Sequence, residues 1–321
     1  MQSLELLKAR IEGARTLGSI VRTMKILAAV GVRQDAKARE ALADYLRTIE
    51  LGLQVALRHR GQGAVIEAGR AESSPPPTLA LVIGSDMGMC GQFNEKIAAF
   101  ARARLQGTAA PKVSLIAAGE RVAMRLEDLD LRPDFVVACP ANPSTGVGIA
   151  VRQLLARLDA WNEGSPGGLV LAFHNKQAGR GMETECRMTQ LLPVDESYLR
   201  ELRDREWKSR SLPQIRMDSR EFLHAYLRGL IRTSLFRIFL DSLESENAAR
   251  LEAMEAAERH IDEHLGELRA SFNEARQDAI TSELLDIIAG VEAAGSEAAR
   301  NRGTADGAQG AIQLSSFWMP S

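Results

Sequence analysis

The 321-residue sequence lacks the features that mark disulfide-rich, membrane-spanning or strongly charged proteins. Its three cysteines, Cys90, Cys139 and Cys186, are odd in number and far apart, so they predict no disulfide framework or zinc knuckle, and we expect a reducing compartment. No apolar run approaches the ~20 residues of a membrane-spanning helix, so direct membrane insertion is not expected. The 40 basic and 42 acidic residues nearly cancel, which gives no reason to expect a nucleic-acid partner.

Aromatic residues and proline are also scarce, and their distribution favours long helices. Aromatics make up 5% of the chain, which is little for a large compact core. Residues 1–60 and 219–291 contain no proline, and their apolar residues recur every three or four positions. These patterns predict an N-terminal coiled-coil helix over 1–60 and a C-terminal coiled-coil helix over 213–293. We expect the Gly-, Ala- and Ser-rich residues 294–321 to form a disordered tail.

Between the two helical regions the sequence changes character. A linker rich in glycine and proline spans 61–77, and an α/β domain is predicted over 78–212. Its apolar strand-like runs alternate with helical stretches, which is typical of a largely parallel sheet, and residues 183–190 have the alternation of an edge strand. The predicted strands are 78–84, 112–118, 134–139 and 168–173, and the predicted helices are 92–106, 119–128 and 146–162. The fold class is therefore α+α/β, an antiparallel coiled coil of the N- and C-terminal helices with an inserted α/β (Rossmann-like) domain.

Three local patterns are candidate catalytic or binding sites. The glycine-rich turn over 84–94 lies between a strand and a helix, but it matches neither nucleotide-binding pattern and no lysine follows its last glycine. His260 and His264 fit the H-x-x-E-H pattern of a zinc-peptidase group, although such short patterns arise by chance in a charged helix. Cys90 could act as a nucleophile with His174, yet a buried structural cysteine is favoured. We therefore predict no catalytic set, no metal site and no cofactor.

A group of basic residues near the first helix has two interpretations. It can be an ordinary solvated helix face, or it can contact acidic loops of a partner. Spacing alone does not distinguish the two. The residues are Arg22, Lys25, Arg33, Lys37 and Arg39.

Three stretches of the sequence carry distinctive motifs. The first is 20–29 (IVRTMKILAA), and the second is the turn 85–94 (SDMGMCGQFN). The third runs from 245–254 (SENAARLEAM) through 273–284 (NEARQDAITSEL) to 287–290 (IIAG). With these motifs the chain resembles the gamma subunit of F-type rotary ATP synthases over about residues 1–292. This resemblance implies a central rotor shaft that couples ion-driven ring rotation to ATP synthesis or hydrolysis on beta subunits, without a catalytic site of its own.

The resemblance also implies partner contacts for particular residues. Met24 and Lys25 should lie near the acidic lever loop of a beta subunit, and Arg276 and Gln277 should hydrogen-bond a beta-subunit catch loop. Thr281 and Glu283 should lie just beyond that pair. The implied partners are a hexamer of alpha and beta subunits, the epsilon subunit and the membrane c-ring, the last two facing the α/β domain. The residues of the family's turn motif are Asp86, Gly88, Cys90, Gly91 and Asn94.

Departures from the family pattern leave some of these contacts open. Gly31 stands where the family usually carries lysine, Met87 replaces a basic residue, and Gln92 and Ser282 also differ from the usual residues; together they suggest a divergent, alternate bacterial type. The resemblance implies a peripheral membrane protein on the cytoplasmic face of a bacterial plasma membrane. The alternatives are an α/β nucleotide-binding enzyme with a helical arm and a coiled-coil scaffold without a motor role.

Overall fold

The structure is a computed structural model. It describes residues 4–59, 76–106, 113–140, 146–178, 184–207, 210–211 and 213–312, with side chains on the last helix as far as Glu292. The predicted linker 61–77 falls mostly outside these residues, as does the end of the predicted tail, 313–321. The elements in chain order are α1 Leu4–His59, β1 Thr78–Ile83, α2 Phe93–Gln106, β2 Val113–Ala118, α3 Glu120–Glu127, β3 Phe135–Val137, α4 Gly146–Gly164, β4 Leu169–Gln177, β5 Thr184–Leu192, α5 Glu196–Asp204 and α6 Ser219–Ile312.

Five strands form one mixed sheet in the order β3-β2-β1-β4-β5. The first four are parallel, and β5 is antiparallel to β4 at the edge. All six residues of the central strand β1 are buried, as expected for a strand covered on both faces. The predicted parallel sheet and its polar edge strand are therefore confirmed.

Helices cover both faces of this sheet. On one face α2 and α3 pack against β1, β2 and β4, with Ile97, Val122 and Phe173 fully buried. On the other face α4 and residues 235–243 of α6 enclose a second core, in which Phe239 is fully buried. Ala38 and Leu42 of α1 pack against this second core. The long helices thus contribute directly to the hydrophobic core of the α/β domain.

The chain divides into two compact units, and each contains part of both long helices. In the first unit, α1 up to Ser19 packs on α6 from Arg259, with Leu7 and Ile11 buried together with Leu265 and Leu268. The second unit spans Ile20–Glu258 and holds the sheet.

In the second unit, contacts move backwards along α6 as they move forwards along α1. Arg22 pairs with Glu258, Arg39 with Glu244, and Leu53 packs with Leu223. This order confirms the predicted antiparallel pairing within the unit.

The bounds of α6 differ from the predicted 213–293. The helix begins at Ser219 because the Asp218 carboxylate accepts hydrogen bonds from the amides of Arg220 (2.8 Å) and Glu221 (3.2 Å), as an N-cap does. It continues to Ile312, past the start of the predicted tail, through a stretch over 291–300 that is rich in alanine and contains no proline.

Helix α5 was not predicted, because nine residues with two buried leucines, Leu199 and Leu202, carry little periodic signal.

Candidate partner-binding surfaces

The family-like turn between β1 and α2 is held by its own side chains. Asn94 Oδ1 accepts a hydrogen bond from the Ser85 amide at 3.0 Å, and Asn94 Nδ2 donates to Ser85 Oγ at 2.9 Å. Ser85 Oγ in turn donates to the Met87 carbonyl at 2.8 Å. The first amide of the turn is therefore bonded to a side chain of its own segment, so it is not directed toward an external phosphate.

Asp86 joins the turn to two other strand ends. Its Oδ1 accepts from the Glu120 amide at the start of α3 (2.8 Å), and its Oδ2 accepts from the Cys139 amide after β3 (2.9 Å). The start of a helix is where backbone amides and the helix dipole favour an anion. At α3 the Asp86 carboxylate already occupies that position, so this part of the motif has a structural role.

Replacing Asp86 with alanine should lower the free energy of unfolding by about 2–4 kcal/mol, because two backbone amides lose a charged acceptor. Urea denaturation of the full chain measures the effect. Asp44→Ala, which removes an exposed carboxylate from α1, should change stability by less than about 0.5 kcal/mol. Equal midpoints for the two variants would contradict the role given to Asp86.

Cys90 and His174, the candidate nucleophile and its partner, are both buried. Cys90 is 2% exposed, and burial raises the pKa of its thiol, which favours the protonated form over the nucleophilic thiolate. His174 is also buried, and its ring nitrogens bond Thr189 Oγ1 (3.1 Å) and the Asn175 carbonyl (3.3 Å). Burial lowers the pKa of His174.

The two histidines of the zinc-peptidase pattern lie on a solvent-exposed surface of α6. The side chains of His260 and His264 are 83% and 62% exposed, and each ring faces a glutamate three residues later on the same helix. Across the part of the chain that is described, no group of three or more potential metal ligands comes together. The pattern is that of a charged helix surface.

Lys25 and Arg22 share a carboxylate within the chain. Arg22 Nε lies 2.9 Å from Glu258 Oε1, and Lys25 Nζ bonds Glu258 Oε2. The hydrogen bonds from Lys25 and then Arg22 lower the pKa of Glu258.

Met24 is half-buried beside Arg22 and Lys25. Together with Arg39, which bonds Glu244 at 2.8 Å, three of the five basic residues near the first helix therefore have acidic partners in their own chain. A contact of Met24 and Lys25 with a beta subunit stays a prediction.

Gly31, where the resemblance leads one to expect lysine, has a packing explanation. A Cβ at this position would lie 2.6 Å from the Asn247 side-chain nitrogen, closer than real Cβ atoms come to other atoms. Asn247 also donates to Asp35 at 2.8 Å. The absence of a side chain at Gly31 therefore lets α6 approach α1 closely enough for this bond.

The second predicted contact region lies on α6. Arg276, Gln277, Thr281 and Glu283 are all exposed, and Thr281 Oγ donates to the Gln277 carbonyl at 2.9 Å. This exposure leaves the four side chains accessible to another chain.

The same stretch of α6 carries an apolar surface that was not predicted from the sequence. Its large side chains are 48–67% exposed, a concentration that marks an interaction surface. Their spacing of three, four or seven was visible in the sequence, but that spacing is equally typical of a buried seam. We call these residues the C-terminal face: Ile280, Leu284, Leu285, Ile287, Ile288 and Val291.

Comparison with solved structures identifies the fold. A rotor chain of the Euglena gracilis mitochondrial ATP synthase superposes with a TM-score of 0.55 at 17% identity, covering 86% of this chain and 98% of that one. A chain from another rotational state of the Euglena enzyme gives a TM-score of 0.59, with coverages of 94% and 95%. The fold is thus that of ATP synthase central-stalk chains.

Sequence comparison identifies the family. The ATP synthase family model matches residues 3–294. The ATP synthase gamma chain of Geotalea daltonii is 29% identical over 304 residues, covering 91% of this chain and 99% of the relative. That of Paracoccus denitrificans is 28% identical over 302 residues, with coverages of 91% and 100%. The chain belongs to the family of ATP synthase gamma subunits.

Proposed function

We propose that this chain is the central rotor shaft of an F-type ATP synthase, coupling ion-driven ring rotation to ATP synthesis or hydrolysis on beta subunits. Family membership over residues 3–294 supports the role, as does the central-stalk fold. The observation that carries it is the exposed stretch of α6 from Arg276 to Glu292, which combines polar groups with the C-terminal face.

This stretch suits a helix that turns inside a ring of subunits. Arg276 and Gln277 can donate to carboxylates and carbonyls of a beta-subunit loop, and the arginine fork makes charge-assisted bonds. The C-terminal face supplies apolar contact to the surrounding subunits. Because one helix presents different residues in different directions, each beta subunit meets a different surface and is biased toward a different conformation.

The remaining partners follow from the same role. We propose that alpha and beta subunits surround the two long helices, and that the α/β domain faces the epsilon subunit and the c-ring. Bond making in ATP then occurs on the beta subunits, and this chain has no catalytic site of its own. Among the described helices, none has the length and hydropathy of a membrane span. Attachment through the c-ring would place the chain on the cytoplasmic face of a bacterial plasma membrane.

Reconstitution with alpha and beta subunits tests the proposal. We expect a complex with one copy of this chain for three of each subunit, and Arg276→Ala/Gln277→Ala should lower its ATPase turnover about tenfold or more, since charged hydrogen bonds are lost. Arg269→Ala is the matched control, because it removes an exposed arginine seven residues earlier on the same side of α6.

The outcomes separate the shaft from the assigned contacts. A complex whose turnover is insensitive to the double substitution would keep the shaft and reject the roles of Arg276 and Gln277. Failure to bind alpha and beta subunits, with nucleotide hydrolysis by the chain alone, would favour the nucleotide-binding enzyme. Stable binding of the wild-type chain that leaves the ATPase turnover of the alpha and beta subunits unchanged would favour the scaffold.

A further inference from the structure

Asp35 is a buried carboxylate at the contact between α1 and α6. It is 1% exposed, and its Oδ2 accepts a hydrogen bond from Asn247 Nδ2 at 2.8 Å. Asn247 Oδ1 accepts from Arg250 at 3.0 Å, so the amide lies between the carboxylate and the guanidinium. The described residues include no ion-pair partner for Asp35. Its donor is therefore a neutral group, which compensates an ionised carboxylate poorly.

None of the described cations around Asp35 forms an ion pair with it. Arg250 pairs with Glu246, and Arg39 pairs with Glu244 (2.8 Å) and Asp241 (3.7 Å). Lys176 of β4 acts on Glu244, and Asp86 and Cys90 of the turn interact electrostatically with Glu246. The negative charge of Glu244 raises the pKa of Asp35, and the negative charge of Asp35 in turn raises the pKa of Glu246. Acidic groups therefore outnumber basic ones around this contact, and both arginines are engaged elsewhere.

Burial is the largest influence on Asp35. It raises the pKa of this carboxyl from 3.8 to about 6, against the Asn247 hydrogen bond, which lowers it, and with a further upward contribution from Glu244. The folded chain therefore binds a proton here more tightly than the unfolded chain does. The resulting stability is fully present below pH 3.8 and is lost as the pH rises through about 6.

We propose that Asp35 makes the contact between α1 and α6 proton-dependent, so that the helices pack tightly when it is protonated and loosen when it ionises. Protonation keeps the Asn247 bond, because the carbonyl oxygen of the neutral acid still accepts a hydrogen bond. Gly31 contributes by letting Asn247 approach. This property is independent of the rotor role, since it concerns packing within one chain.

The test compares the full-length chain with Asp35→Asn at pH 5 and pH 7.5. For the wild type, the folding equilibrium constant should be about tenfold larger at pH 5 from this group alone. Asp35→Asn should remove that increment, whereas Asp44→Asn, an exposed carboxylate on the same helix, should retain it. Hydrogen exchange of the α1 amides around residue 35, corrected for intrinsic rates, should show the same pH dependence locally.

A direct titration keeps the proposal testable even if Asp35→Asn does not fold. Carbon-13 NMR of the wild-type Asp35 carboxyl should show a midpoint near pH 6. A midpoint near 4 would overturn the proposal, and so would an unchanged pH increment in the folded Asp35→Asn variant.

Discussion

Replacing Arg250 with methionine should lower the free energy of unfolding by about 3–5 kcal/mol at neutral pH, because it leaves a buried carboxylate without its cation. Arg250 bonds Glu246, and the two side chains are 14% and 10% exposed. Burial raises the pKa of Glu246, while Arg250 opposes that rise. Methionine retains much of the side-chain length, so the lost charge dominates the effect. Urea denaturation of the full chain at pH 7.5 measures it.

Two comparisons distinguish lost charge from lost packing. Glu246→Gln/Arg250→Met should recover most of the stability, since a neutral amide replaces the unpaired carboxylate. The penalty in the single variant should also shrink as the pH falls, because Glu246 becomes protonated and no longer needs a cation. A double variant as unstable as Arg250→Met would assign the effect to packing and to the lost hydrogen bond from Arg250 to Asn247 Oδ1.

Replacing Gly119 with alanine should cost about 3–5 kcal/mol. Gly119 precedes α3 with φ 116° and ψ 131°, a conformation that side chains other than hydrogen rarely adopt. A Cβ there would also lie 2.7 Å from the Ser85 carbonyl oxygen, and backbone cannot move as a flexible side chain can. The two costs act together, and thermal or urea unfolding of the full chain measures their sum.

Gly13 provides the matched control for this substitution. It lies inside α1, and a Cβ added there would meet no atom within 4 Å. Gly13→Ala should therefore stabilise the chain by up to about 1 kcal/mol, because alanine has the higher helix propensity. If both substitutions changed the free energy of unfolding in the same direction, the explanation given for Gly119 would be wrong.

Local patterns in the sequence predicted the long helices and the sheet. The absence of proline over 1–60 and 219–291 and the apolar runs of β1, β2 and β4 suffice, because each element depends on nearby residues. Helix α5 was not predicted, because its nine residues are mostly charged and its two buried side chains, Leu199 and Leu202, are too few to show a helical period.

The contacts of Asp35 and Asp86 and the exposure of the C-terminal face depend on the tertiary structure, which no local sequence pattern contains. Asp35 and Asn247 are 212 positions apart, and their hydrogen bond requires the register of α1 against α6. Asp86 likewise bonds amides 34 and 53 residues away. The exposure of Leu284 and Ile288 could not be predicted either, since their spacing equally suits a core. Met24, Lys25, Arg276, Gln277, Thr281 and Glu283 stay predictions as partner contacts.

The exposure of α6 from Arg276 to Glu292 has a consequence for assembly. With every side chain in this stretch in solvent, tertiary burial does not offset the conformational entropy of keeping it helical. The packed turns around Leu265 and Leu268 nucleate this part of α6, but no burial of its own holds it helical, so we expect its helix population to be smaller in the lone chain than in the assembled state. Part of the interaction free energy on entering a ring of partners is then spent on ordering the stretch, which lowers affinity per unit of buried area and couples folding of this segment to assembly.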